Sequence, residues 1–357
     1  MTASNNPQRG LGHMLRQHLM VVLALLIAGS ILIAGCKKNT NTNGNSNANA
    51  GNTNGVGQIE NPTNTNTEIL KKQADDQGKA ERPDRGNFSV QYSTVQNPQY
   101  AAINERFRQQ RFLEGIADEL NATIAIPENV TITFKECGEP NAWWDPQSRS
   151  IIMCYELMEE MAKDFQEVAK TQEQLNDMLG GAMTFAFIHE LGHCLIDVLN
   201  LPSTGREEDA VDQLSTFVLV ALNGEQGEQM AINGAISWGI QYDRLLKSGK
   251  TAGDLDRLWA DEHSMNGQRF YNILCWVLGH NPNKWVKLVN NPLPEARAVR
   301  CPTEYMKLAT AWLTLLKPYL KDGGAKASQH TEPMMNQGAP TGPPQQPSAP
   351  GGDHNGH

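Results

Sequence analysis

Apolar residues crowd the chain at Leu19–Ala34, nearly vanish from about 39 to 67, return with clear periods from about 88 to 320, and thin out again toward the C-terminus. Within the periodic region, Ile103, Phe107, Phe112, Ile116 and Leu120 recur near helical spacing, which predicts one helix from Tyr100 to about Asn121. Asn129 to Phe134 alternates and is β-branched, which predicts a strand. Ala142-Trp143-Trp144 and Ser150–Tyr155 flank a turn marked by Asp145-Pro146, so they read as a hairpin. After Glu156 the period is helical, with expected segments at about 156–169, 174–199, 206–222, 227–247, 264–279 and 302–320. The expected class is α+β: a small antiparallel sheet with a mostly helical remainder.

The flanks carry a different message. Residues 1–18 hold Arg9 and Arg16 and no acid, and the apolar run then ends in Ile33-Ala34-Gly35-Cys36. That order describes an export signal, and a run of about 16 residues is short of the roughly 20 needed to span a membrane. Ile33–Cys36 resembles a bacterial lipobox, which implies cleavage after residue 35, a lipid on Cys36 and a place in the cell envelope. Lys37 occupies the position where aspartate retains some lipoproteins at the inner membrane, so the outer membrane or cell surface is favoured. Residues 36–87 read as a lipidated cysteine and an Asn/Thr/Gly-rich tether, with too little apolar surface to offset its ordering entropy. Fifty such residues reach on the order of 40 Å. Residues 322–357, rich in Gly, Pro and Gln, read as a disordered tail. Between these flanks, residues 88–321 are the expected folded domain, large enough for its own core.

Charge narrows the function. The 357 residues carry 30 Lys+Arg against 39 Asp+Glu, net −9, with no basic block. Nucleic acid is therefore not an expected partner.

The chemistry concentrates at His189-Glu190-Leu191-Gly192-His193. On a helix, residues four apart share a face, so both imidazoles reach one metal ion. The stretch around them is apolar nearly all round, so two histidines and a glutamate buried there need partners, and zinc would satisfy them together. Glu190 lies near the same face, where it serves as general base toward an activated water. A third ligand is expected from Arg206–Gln213, after the turn Leu201–Gly205. Glu208 is the candidate ligand, with Glu207 as the alternative, offset by about 100° around the helix. Asp212, one turn further, is placed to accept the outer N–H of a ligating histidine. Read without the histidine motif, the same acids would simply complement a helix dipole.

His189–His193 followed by Glu208–Asp212 resembles the gluzincin pattern, H-E-x-x-H then E-x-x-x-D. The chain is also similar, over about residues 88–320, to an uncharacterised bacterial family assigned to metallopeptidases by its motifs. The stretches that carry this are Trp144–Gln147, Cys154–Leu157, the histidine motif, Gly205–Gln213, Glu262-His263, Gln268–Asn272 and Leu293–Glu295. The resemblance implies a zincin-like domain, a zinc cofactor and a peptide or protein substrate. It further implies that His263, oriented by Asp261 or Glu262, steadies the oxyanion; a capping or surface histidine is the plain alternative. Tyr271 is a second donor candidate. Ser150–Tyr155 is offered, by the same resemblance, as the edge strand along which substrate extends.

Of six cysteines, Cys36 takes lipid in this reading. Export favours disulfides, and Cys137–Cys154 with Cys275–Cys301 is the expected pairing, leaving Cys194 free and buried. The expected function is a membrane-tethered zinc-dependent peptidase. The rival is a catalytically silent zincin-fold lipoprotein that binds a peptide or protein as a scaffold, and a third reading is a structural histidine pair without metal.

Overall fold

The computed structural model describes residues 84–249 and 260–321. The export segment, Cys36, the tether up to residue 83 and the tail from residue 322 lie outside the described residues. Strand β1 (Phe88–Tyr92) leads through helices α1 (Pro98–Gln109) and α2 (Phe112–Thr123) to β2 (Val130–Lys135). A hairpin of β3 (Ala142–Asp145) and β4 (Ser150–Cys154) follows, then helices α3 (Tyr155–Gln166), α4 (Gln172–Val198), α5 (Glu207–Lys247) and α6 (Asn266–His280). The short α7 (Pro282–Trp285) and α8 (Glu295–Ala298) precede α9 (Cys301–Leu316). The class is α+β.

Three expectations are corrected. The sheet is mixed rather than antiparallel: its order is β1-β2-β4-β3, β1–β2 and β2–β4 are parallel, and only β3–β4 is antiparallel. The α1–α2 crossover carries the chain back to the end of the sheet where it began, which enforces a parallel neighbour. Secondly, β4 is interior. All five of its residues are buried, as suits a strand covered on both faces, and β3 is the edge on that side, with β1 at the other. Thirdly, the helix expected over 100–121 is two, broken at Arg111, whose φ of 50° is left-handed. The strand β1 was not anticipated; its alternation is short and only Phe88 is buried.

The domain also begins earlier than 88. Backbone N–H groups of Arg85 and Gly86 donate to the Ile126 carbonyl, and Asp84 pairs with Lys321 at 2.8 Å. Residues 84–87, assigned to the tether, are bonded to the fold.

Helix α4 is the spine. Thr171 caps it by accepting from the Gln174 N–H. It is long and apolar enough to cross a membrane by length and composition, yet most of that window is buried within the protein. One side packs on β3 and β4, the other on α5, and Ile188, Leu191 and Leu195 join Ile132, Trp144, Ile151 and Leu214 in one core. Gly192 permits close approach of α5: a Cβ there would lie 2.7 Å from Val211 Cγ1. The break expected between 222 and 227 falls at Gly224, whose backbone is non-helical (φ 54°, ψ −132°). Disulfides join Cys137 to Cys154 and Cys275 to Cys301, and Cys194 is free and buried, as expected from the sequence.

Candidate metal centre and active site

His189 and His193 project from one face of α4, their ring centres 5.0 Å apart. Glu208, in the first turn of α5, meets both. Its Oε2 lies 3.0 Å from His189 Nε2 and its Oε1 3.2 Å from His193 Nε2. The three possible ligand atoms all lie within 4.8 Å of one another. The outer nitrogens are engaged as well. His189 Nδ1 contacts Asp212 Oδ1 at 2.9 Å, and His193 Nδ1 contacts Glu207 Oε1 at 2.7 Å. Of the two acids weighed as third ligand, Glu208 therefore stands on the inner side of the histidine pair and Glu207 on the outer side.

This arrangement tests the donor set for a cation. A neutral imidazole carries one N–H, so a ring with carboxylate oxygen at both nitrogens has one lone pair facing an anion. Both rings are in that position, and both meet the same carboxylate. Either each ring holds a second proton or a cation sits among the two Nε2 atoms and Glu208. Two imidazoles and a carboxylate are a donor set that zinc accepts. In the metal-free arrangement burial disfavours charge on His189, but hydrogen bonds to Asp212 and Glu208 outweigh it and raise its pKa. The same opposition pushes His193 up to about 9. Burial works against ionisation of Glu208, yet hydrogen bonds from His189, His193 and His263 hold its carboxyl far below the usual range.

Glu190 is buried beside this centre. Its Oε2 accepts the backbone N–H of Trp144 on the edge strand β3, at 3.0 Å. Burial raises its pKa, against the pull of His189 and His193. Trp144 is clamped a second time: its indole Nε1–H donates to Asp197, two turns along α4, at 2.9 Å, and Arg149 Nη1 donates to the same oxygen at 2.8 Å. The hairpin thus lies along α4 with its outer edge toward Glu190. Trp143 faces elsewhere, with Lys135 Nζ 4.9 Å from its ring centre.

His263 reaches the centre from the segment before α6. Its Nε2 lies 3.1 Å from Glu208 Oε2 and its Nδ1 2.9 Å from Asp261 Oδ1. Of the two acids considered as its orienter, Asp261 makes the contact; it also accepts the His263 backbone N–H. The segment is tied to α5, since Ser264 Oγ donates to Asp209 and Arg206 Nη1 to the His263 carbonyl. The Glu208 contact, with burial opposing and Asp261 assisting, raises the His263 pKa. Tyr271, the second donor candidate, packs against Phe270 and the core.

Sequence reasoning missed Arg269, which forks onto Asp212 from α6. A signal existed: Arg269, Ile273 and Trp276 follow helical spacing and are all buried, so the stripe places a charge where an apolar residue belongs.

A family model described as "Putative metallopeptidase" (DUF4344) matches residues 92–316. The chain belongs to that family. The family's description suggests a hydrolase and implies a metal cofactor and a peptide or protein substrate, and the matched span contains every residue of the cluster around Glu208. No curated protein and no solved structure matches the chain.

Proposed function

We propose that the protein is a membrane-tethered, zinc-dependent peptidase with a zincin-like domain of the gluzincin type. The observation that carries this reading is Glu208 facing the inner nitrogens of both histidines while their outer nitrogens already meet other carboxylates. His189, His193 and Glu208 would hold the ion. Zinc held there would supply a Lewis acid able to polarise the scissile carbonyl and to lower the pKa of water.

The chain's own groups do the rest. Glu190 accepts a proton from the attacking water as the new C–O bond forms, then delivers it to the departing amine as the C–N bond breaks. The Trp144 N–H holds one Glu190 oxygen, which leaves the other for the proton. His263, held by Asp261, donates from Nε2 to the developing oxyanion. An extended peptide adds to β3, the exposed edge beside Glu190, rather than to β4. Cys36, under lipid, anchors the domain to the outer membrane or cell surface through the tether.

The test is Glu190→Gln in the detergent-solubilised full chain, assayed on a broad peptide library with a chelator control. Zinc binding should persist while cleavage falls by orders of magnitude. Undiminished cleavage would refute the mechanism, and zinc binding without cleavage by the unaltered chain would favour the scaffold reading.

A further inference from the structure

Arg269 enters the interior from α6 and is 4 % exposed. Its Nε donates to Asp212 Oδ2 and its Nη2 to Asp212 Oδ1, each at 2.7 Å. The guanidinium carbon sits over a tryptophan ring, 3.7 Å from the Trp238 ring centre. Its Nη2 also comes within 3.5 Å of His189 Nδ1. A buried arginine–aspartate pair is in itself weak evidence of a stabilising role, because desolvation offsets much of the attraction. Here the aspartate has a third partner. Asp212 Oδ1 meets both Arg269 Nη2 and His189 Nδ1, so one oxygen joins the cation to the candidate metal ligand.

The fork has a geometric consequence. Two parallel hydrogen bonds fix the plane of a carboxylate as well as its position, which one bond or a lysine would not do. The indole of Trp238 covers the guanidinium and limits how far it can shift. With the Asp212 carboxylate locked, His189 keeps its hydrogen on Nδ1 and presents the Nε2 lone pair toward Glu208 and His193. The pair is also neutral as a unit. It orients His189 without adding net charge to a centre that already holds Glu190, Glu207 and Glu208.

We propose that Arg269 is a positioning residue for the metal, acting on His189 through Asp212. The inference rests on the reading of His189, His193 and Glu208 as zinc ligands. Loss of an outer partner of a metal-bound histidine typically weakens metal binding about 10–100-fold.

The experiment is a double-mutant cycle on zinc affinity, measured on the full chain by competition with a chromogenic chelator. Melting of the metal-free protein is followed alongside. Asp212→Asn should weaken zinc binding by about 10–100-fold and Arg269→Met by about tenfold. Arg269→Lys, which keeps the charge without the fork, should fall between Arg269→Met and the unaltered protein. In an Asp212→Asn background, Arg269→Met should change zinc affinity no further, since the group it acts through is gone. A merely structural arginine would lower the melting temperature of the metal-free protein and leave zinc affinity unmoved. That result overturns the proposal, as does a full-sized Arg269 effect persisting beside Asp212→Asn. If Arg269→Met does not fold, Arg269→Lys carries the same cycle. Absence of zinc binding with Arg269 intact defeats the ligand reading itself and is thereby distinguished from failure of this inference.

Discussion

Replacing Gly192 by alanine probes the contact that brings the third ligand to the histidine pair. The added Cβ would lie 2.7 Å from Val211 Cγ1, 2.8 Å from Val211 Cβ and 3.3 Å from Leu214 Cδ2. Ordinary carbon contacts are about 3.5–4.0 Å, so α4 and α5 must part by about 1 Å. Two stability effects oppose each other. Alanine is favoured over glycine within a helix by about 1 kcal/mol, while overpacking costs about 1–3 kcal/mol. The net loss is about 0–2 kcal/mol, a modest fall in melting temperature. The site is less tolerant. Val211 lies one turn beyond Glu208, and Gly192 precedes His193, so a parting of about 1 Å moves ligand from ligand. Metal sites tolerate departures of about 0.2 Å. Zinc affinity should therefore fall at least about tenfold while the metal-free protein stays folded. Chelator competition measures the first quantity and scanning calorimetry in chelator the second. Val211→Ala removes the methyl group at 2.7 Å but keeps the Cβ at 2.8 Å, so the double variant should regain only part of the lost affinity. Unchanged zinc affinity in Gly192→Ala, or no recovery with Val211→Ala, would refute the packing argument.

Other expectations follow from the same geometry. Trp144→Phe removes the indole N–H that meets Asp197; turnover of library peptides should fall several-fold while zinc affinity, set by α4 and α5, holds. Breaking either disulfide by paired serine substitution should cost about 3 kcal/mol by loop-closure entropy, given separations of 17 and 26 residues, read as the shift in urea midpoint. Glu228 is buried, and although burial raises its pKa, hydrogen bonds from Lys284, Trp285 and Asn281 outweigh it and hold the value below the ordinary 4.5. A depressed carboxyl pKa stabilises the fold above the unfolded value and the gain is lost as pH falls through the folded one. Glu228→Gln should thus lower stability at pH 7, and its deficit should shrink as the pH drops below about 4.5; a deficit constant with pH would contradict the assignment. Cys36→Ser in the full chain should shift it from the detergent phase to the aqueous phase on phase separation.

The sequence by itself determined whatever depends on neighbours along the chain. Helix period puts His189 and His193 on one face, and a short turn then returns Glu208 and Asp212 to them. The α+β class and the disulfide partners were likewise legible, because strand alternation, helical period and cysteine placement are short-range signals. Tertiary structure decided what depends on distant segments meeting. The Trp144 N–H reaches Glu190 across 46 residues, and Arg269 reaches Asp212 across 57. No local period encodes such a meeting. Strand order belongs to the same class: alternation marks a strand without naming its neighbour, so the parallel pairing made by the α1–α2 crossover stayed hidden. The unbroken apolar run Ile151–Cys154 did hint that β4 is covered on both faces, and that burial hands the edge beside Glu190 to β3. Side-chain chemistry is written residue by residue, but the dielectric and the partners that tune it exist only once the chain has closed around them.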